Sequence, residues 1–109
     1  MQHTEIDDVD PQHPCLPGHF PGQPIVPGVL ILARVMKAAA LVFGAPVNAI
    51  PVVKFQARLM PQERFTIVLE PGSKDAVKFQ VIRGEAVISG GILQLNRGRV
   101  ELLDTLRSY

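Results

Sequence analysis

The stretch LPGHFPGQPIVPGVLIL, residues 16–32, joins a loop rich in proline and glycine to the start of a long apolar segment. Proline fixes the backbone angle φ, and glycine reaches conformations that other residues avoid, so this density of both predicts a loop of defined shape. His19 is the one titratable side chain between residues 16 and 28. A shaped loop that carries one imidazole directly before an apolar helix is a common way to build an active site.

A helix is predicted from about Gly28 to Phe43. Pro27 suits its first turn because the N–H that proline lacks would have no partner there, and Gly44-Ala45-Pro46 is a strong terminator. Between these signals only Arg34 and Lys37 are polar, three positions apart and therefore on one narrow edge. A helix that is apolar on nearly all sides is buried on most of them, so the rest of the chain is expected to wrap around it.

The second half of the chain shows the residue alternation of β-strands. A short strand is predicted around Thr4 to Val9. Four further strands are predicted at Val52–Leu59, Arg64–Glu70, Val77–Arg83 and Ala86–Leu95. Gly84-Glu85 predicts a tight turn, and Gly90-Gly91 predicts a bulge or the close approach of another backbone. This order predicts an α+β fold in which a curved antiparallel sheet wraps around one long central helix. Such a sheet leaves an edge strand and an apolar face uncovered, which predicts pairing with a second copy.

Composition limits the possible functions. The 109 residues predict a single domain, and a net charge of +1 without a basic stripe argues against nucleic-acid binding. The apolar segment is shorter than the roughly 20 residues of a membrane span, and the N-terminus has no signal-peptide pattern, so a soluble, cytoplasmic protein is expected. Cys15 has no partner for a disulfide, and the three histidines lack ligand spacing, so neither a metal site nor a cofactor is expected.

The motif GHFPG at residues 18–22, followed by QPIVPGVLIL at 23–32, resembles the β-hydroxyacyl-[acyl carrier protein] dehydratase family of fatty acid biosynthesis. A weaker similarity continues through VVKFQARLMPQERFTIVLE at 52–70 and the hairpin around Arg83-Gly84-Glu85. The resemblance implies the hot-dog fold, in which a sheet wraps one long helix. It also implies an acyl thioester substrate on acyl carrier protein or coenzyme A (CoA). The expected assembly is a homodimer or higher oligomer, or a heterodimer with a homologue.

The resemblance also implies residue roles. His19 matches the histidine that removes the α-proton of a 3-hydroxyacyl thioester, and Gly28 matches the glycine whose N–H binds the thioester carbonyl. Phe20 and Pro21 would shape the wall beside the histidine. In the family the site lies between two subunits, and an acidic residue 14 positions after the histidine comes from the partner's helix. Ala33 stands at that position here, so the carboxylate is absent.

Three functions stay open. The first is a dehydratase in which His19 acts alone or through water and backbone dipoles; the intact GHFPG loop favours it. The second is a catalytically silent hot-dog subunit that binds an acyl thioester or partners an active homologue, which Ala33 favours. The third is a hot-dog thioesterase, which Ala33 disfavours because such enzymes usually use a carboxylate near the helix. Glu63 is the one candidate for a substitute acid, and Arg34 and Lys37 could contact a carrier protein or form a solvated edge.

Overall fold

A computed structural model describes residues 2–10 and 25–96 of the chain, which form one α-helix and five β-strands. The elements in chain order are β1 His3–Asp7, α1 Gly28–Phe43, β2 Val47–Phe55, β3 Phe65–Pro71, β4 Ala76–Arg83 and β5 Ala86–Leu95. The strands form one antiparallel sheet in the order β1-β3-β4-β5-β2. The predicted α+β class is confirmed, and β1 and β2 are the two edge strands.

The predicted helix boundaries are confirmed at both ends. Pro27 is extended, with φ −61° and ψ 142°, and α1 begins at the next residue. Gly44 follows the last helical residue with φ 68°, and its N–H donates to the Ala40 carbonyl oxygen at 2.9 Å. A left-handed residue at this position ends a helix at little cost only when it is glycine.

The prediction of β2 at Val52–Leu59 is wrong, because the strand runs Val47–Phe55. Two register shifts against β5, between Val47 and Ala49 and between Ala49 and Val52, add residues to β2 and interrupt its alternation. The chain leaves the sheet after Phe55. The apolar alternation nevertheless continues to Leu59, because that residue is buried outside the strand.

The Gly90-Gly91 pair marks a close approach of two backbones, as one of the two readings of this pair predicts. A Cβ atom on Gly91 would collide with the Val52 carbonyl oxygen of β2. The bulge in β5 lies elsewhere: the β4–β5 register shifts between Val81 and Ile82 and leaves Ile88 without an opposite residue. Gly84 turns the hairpin with φ 59°, as predicted.

The core lies between α1 and the inner face of the sheet. Its fully buried side chains come from every layer: Val35, Ala39, Ile67, Val81, Ile88 and Leu93. The helix is less enclosed than its composition predicts, since Val29 and Leu41 are 77% and 73% exposed. These two residues share one side of α1 with Ala33 and Lys37, at a spacing of four. The chain by itself therefore leaves one stripe of the helix uncovered.

Candidate functional site

The start of α1 is packed against β2 through a close contact between Gly28 and the Phe55 ring. A Cβ atom on Gly28 would lie 2.8 Å from Cζ of Phe55, closer than carbon atoms approach one another. The Phe55 ring therefore rests against the first turn of the helix. The Leu30 N–H donates to the Pro27 carbonyl oxygen at 3.0 Å. The N–H groups of Gly28 and Val29 have no acceptor within the helix, and the helix dipole makes this end favourable for negative charge.

An apolar cleft of about 340 Å³ opens beside this contact. It is lined by Ile25, Val26, Pro27, Gly28, Ile31, Phe55, Ala57, Arg58 and Leu59. Val26, Ile31 and Leu59 are buried and form part of the core, whereas Arg58 is exposed. An apolar cleft with an amide-bearing helix end at its wall suits a ligand that combines a hydrocarbon chain with a carbonyl group.

The segment that follows β2 holds the far wall of the cleft in place. The Val26 N–H donates to the Leu59 carbonyl oxygen at 2.8 Å, which ties the residues before α1 to this segment. Arg83 Nη1 donates to the Arg58 carbonyl oxygen at 2.5 Å and to Glu63 Oε1 at 3.2 Å. Glu63 Oε1 also accepts from the Met60 N–H at 2.8 Å. Glu63 is thus committed to holding the backbone and is not among the residues that line the cleft.

The two polar residues of α1 lie in different surroundings. Arg34 Nη1 donates to both carboxylate oxygens of Asp7, at 2.9 and 2.7 Å, and to the Asp8 carbonyl oxygen at 3.1 Å. Arg34 therefore ties the helix to the end of β1. Lys37 is exposed and lines a polar cavity beside Glu5 and Asp7.

Ala33 lies on the exposed stripe of α1, away from the core. A side chain at this position faces outward from the chain. His19, Phe20 and Pro21 lie outside the described residues, and their predicted roles stay predictions. Of the four predicted site residues, the structure describes only Gly28.

Sequence reasoning missed Phe55, Arg58 and Arg83 as parts of this region. The spacing of Phe55 marks it as a strand residue, but its contact with Gly28 depends on how α1 crosses the sheet. Arg58 and Arg83 lie 25 positions apart and meet only through the fold.

The described residues offer neither a metal site nor a membrane-spanning helix. Within residues 2–10 and 25–96, the structure has no group of three His, Cys, Asp or Glu side chains arranged to hold a metal ion. In that same part of the chain, no helix is both long and apolar enough to cross a bilayer. The predicted cytoplasmic location stays a prediction.

The sequence matches the model of the ApeI-like family, described as ApeI dehydratase, over residues 2–91. The 3-hydroxyacyl-[acyl-carrier-protein] dehydratase FabZ of Histophilus somni is 33% identical over 95 residues, which cover 85% of this chain and 63% of FabZ. FabZ of Thiobacillus denitrificans is 29% identical over 117 residues, covering 95% and 77% of the two chains. The chain therefore spans slightly less than two thirds of the Histophilus relative.

Solved structures show the same architecture. A chain of the dehydratase heterocomplex ApeI:P from Xenorhabdus doucetiae aligns with a TM-score of 0.78 and 28% identity over 88% of each chain. An uncharacterized protein from Erwinia carotovora subsp. atroseptica aligns with a TM-score of 0.70 and 30% identity over 87% of this chain and 82% of its own. The fluoroacetyl-CoA thioesterase FlK, 13% identical with a TM-score of 0.73, shares the fold alone and covers 100% of this chain and 95% of its own. These likenesses confirm the predicted hot-dog fold.

Proposed function

This chain belongs to the ApeI-like dehydratase family, and from that membership we propose that it eliminates water from 3-hydroxyacyl thioesters. The substrate is an acyl group on acyl carrier protein or CoA, and the product is the 2-enoyl thioester. The observation that carries this proposal is the first turn of α1 at Gly28, set in the wall of an apolar cleft. The cleft suits the acyl chain, and the helix end suits the thioester carbonyl.

The proposed reaction begins with proton removal. The His19 imidazole takes the proton from the α-carbon, and the electron pair left behind moves toward the thioester carbonyl as an enolate. The Gly28 N–H donates to that oxygen, and the helix dipole stabilises its developing charge. The enolate then expels the β-hydroxyl group. This group leaves as water after taking a proton from the His19 imidazolium or through a bound water molecule.

A second function is favoured by Ala33. Its position on the exposed stripe lacks the carboxylate that a neighbouring subunit would receive, and one of the similar structures is a dehydratase heterocomplex. In this alternative the chain is a hot-dog subunit that binds acyl thioester, and a homologue with an acid at the corresponding position completes the reaction. His19 of this chain would then work with the acid of the homologue.

The proposed partner surface is the β2 side of the molecule. Phe55 is 49% exposed, Val53 is exposed on the same face of β2, and Val29 is exposed on α1. β2 is an edge strand whose outer side pairs with no other described strand. An edge strand next to exposed apolar side chains is the usual composition of an interface in which two sheets join. A homodimer or a heterodimer with a homologue both fit this surface.

The test is an assay of enoyl absorbance with a short 3-hydroxyacyl thioester. It compares the wild type, His19→Ala and Ala33→Glu. His13→Ala controls for loss of a histidine outside the motif, and Ala33→Gln matches the size of glutamate without its charge. We expect turnover by the wild type, loss of turnover in His19→Ala alone, and acceleration in Ala33→Glu. A general acid typically contributes a factor of about 10²–10⁴ in rate, so the rate increase expected from Ala33→Glu is large enough to measure.

Other results would redirect the assignment. A silent wild type that gains activity with Ala33→Glu or with an added homologue supports the second function. Release of free thiol without enoyl product would indicate a thioesterase. If no variant or mixture converts or binds the thioester, the dehydratase proposal and the subunit proposal both fail.

A further inference from the structure

We infer that Arg58 is the anion-binding residue of the cleft and that it recognises the phosphate of the arm carrying the acyl thioester. This inference rests on the proposed function. CoA and acyl carrier protein both present the thioester on a phosphopantetheine arm, so a site for either must accept a hydrocarbon chain, a carbonyl group and, further along, a phosphate. The cleft at Gly28 provides for the first two. Among the described residues that line it, Arg58 is the one that carries a charge.

The position of Arg58 is on the solvent side of the cleft. Arg58 is exposed, whereas its neighbour Leu59 and the facing Val26 are buried. Phe55 rests on Gly28, and Arg58 comes three residues later, at most about 10–11 Å further along the chain. The long arginine side chain extends this reach toward solvent. An arm that enters with its thioester at Gly28 therefore leaves past Arg58.

The backbone of Arg58 is fixed from both sides. Its carbonyl oxygen accepts from Arg83 Nη1 at 2.5 Å, and the Leu59 carbonyl oxygen accepts from the Val26 N–H at 2.8 Å. Glu63 holds Arg83 in turn, at 3.2 Å. A recognition side chain on a fixed backbone loses less conformational freedom when its ligand arrives.

The charge of Arg58 has no partner among the described residues and is therefore available to a ligand. Arg34 pairs with Asp7 and Arg83 pairs with Glu63, but the Arg58 guanidinium has no hydrogen bond or ion pair within the part of the chain that the structure describes. The acid nearest along its segment, Glu63, is already held by Arg83 and the Met60 N–H. A guanidinium forms two parallel hydrogen bonds with a phosphate, a geometry that a lysine cannot reproduce.

The experiment measures binding of one acyl group on four carriers to the full chain. The carriers are pantetheine, 4′-phosphopantetheine, CoA and phosphopantetheinylated acyl carrier protein; only the first lacks the phosphate. The variants are Arg58→Gln and Arg58→Lys, with Arg64→Gln as the matched control. Arg64 is an exposed arginine that does not line the cleft. Circular dichroism and thermal unfolding check that each variant is folded.

We expect Arg58→Gln to weaken binding of the 4′-phosphopantetheine thioester by about tenfold and to leave the pantetheine thioester unchanged. Arg58→Lys should recover part of the loss, and the difference should shrink as salt is added. Equal losses for CoA and the carrier protein support recognition of the shared phosphate. A loss confined to the carrier protein, or to CoA, would place Arg58 against the protein surface or the nucleotide and overturn the inference.

Failure of the inference is separable from failure of the proposed function. If the wild type binds both small thioesters and Arg58→Gln changes neither, the inference is overturned and the dehydratase proposal stands. If the wild type binds none of the four thioesters, the proposed function fails and the inference fails with it.

Discussion

The two edges of the sheet differ in their contacts with the rest of the chain. At the β1 edge, Arg34 of the helix reaches across to Asp7 and Asp8, and the rings of His3 and Phe43 meet edge to face with centroids 5.4 Å apart. At the β2 edge, the strand is interrupted by two register shifts, and Phe55 remains half exposed. The β1 edge is tied to the helix by contacts within the chain and exposes one large apolar side chain, Ile6, whereas the β2 side exposes Val53 and Phe55 together beside Val29 of the helix. This difference is the reason for proposing the partner surface on the β2 side.

The largest expected effect comes from disrupting the pairing of β2 with β5. Gly91→Ala places a Cβ atom against the Val52 carbonyl oxygen, which cannot move without displacing the strand. We expect a loss of about 2–3 kcal/mol in the free energy of unfolding, measured by urea denaturation. Gly90→Ala is the matched control, because its Cβ atom would lie 3.4 Å from the nearest atom, the Phe79 carbonyl oxygen. Equal losses in the two variants would contradict the close approach at Gly91.

The contribution of each sheet edge to association can be compared by placing the same charge on both edges. Val53→Asp puts a carboxylate on the exposed apolar surface of β2, and Ile6→Asp does so on β1, where Ile6 is 70% exposed. We expect Val53→Asp to weaken association with a second copy or a homologue by at least about tenfold, because interface centres are desolvated. Ile6→Asp should leave association unchanged. Analytical ultracentrifugation measures both, and a larger effect at Ile6 would move the interface to the other edge.

The smallest expected effect concerns the ion pair that closes the β1 edge. Asp7→Asn removes the negative charge that faces Arg34. The side chains of Arg34 and Asp7 are 27% and 26% exposed. We expect a loss of at most about 1 kcal/mol in the free energy of unfolding, which shrinks as salt is added. Glu5→Gln on the same strand is the control, since Glu5 is exposed and forms no ion pair among the described residues. A loss in Asp7→Asn that salt does not change would assign the effect to packing.

Local signals made the helix predictable and the β2 strand difficult. Pro27 and Gly44 act within one turn of themselves, so the bounds of α1 could be read directly from the sequence. The bounds of β2 depend on where its backbone pairs with β5, and Pro51 within the strand argues against a strand there. Leu59 continued the apolar alternation for a different reason, because it is buried under the residues that precede α1.

The candidate site was predictable only where the chain resembles a known motif. The role of Gly28 was implied by that resemblance, whereas its close contact with Phe55, 27 positions away in the sequence, appears only in the folded chain. The backbone of Arg58 is held by Arg83, which Glu63 holds in turn, and only the folded chain brings these residues together. Contacts of this kind leave no periodicity in the sequence.

The interruptions in β2 also bear on the fate of the newly made chain. A long, regular edge strand with apolar side chains would add strands from other chains without limit and would drive aggregation. Pro51 has no backbone N–H to offer, and the two register shifts between Val47 and Val52 bend the strand away from a regular ladder. Only the stretch 52–55 pairs regularly with β5. The same irregularity that obscured β2 in the sequence therefore lets the chain keep an open edge while limiting aggregation before a partner binds.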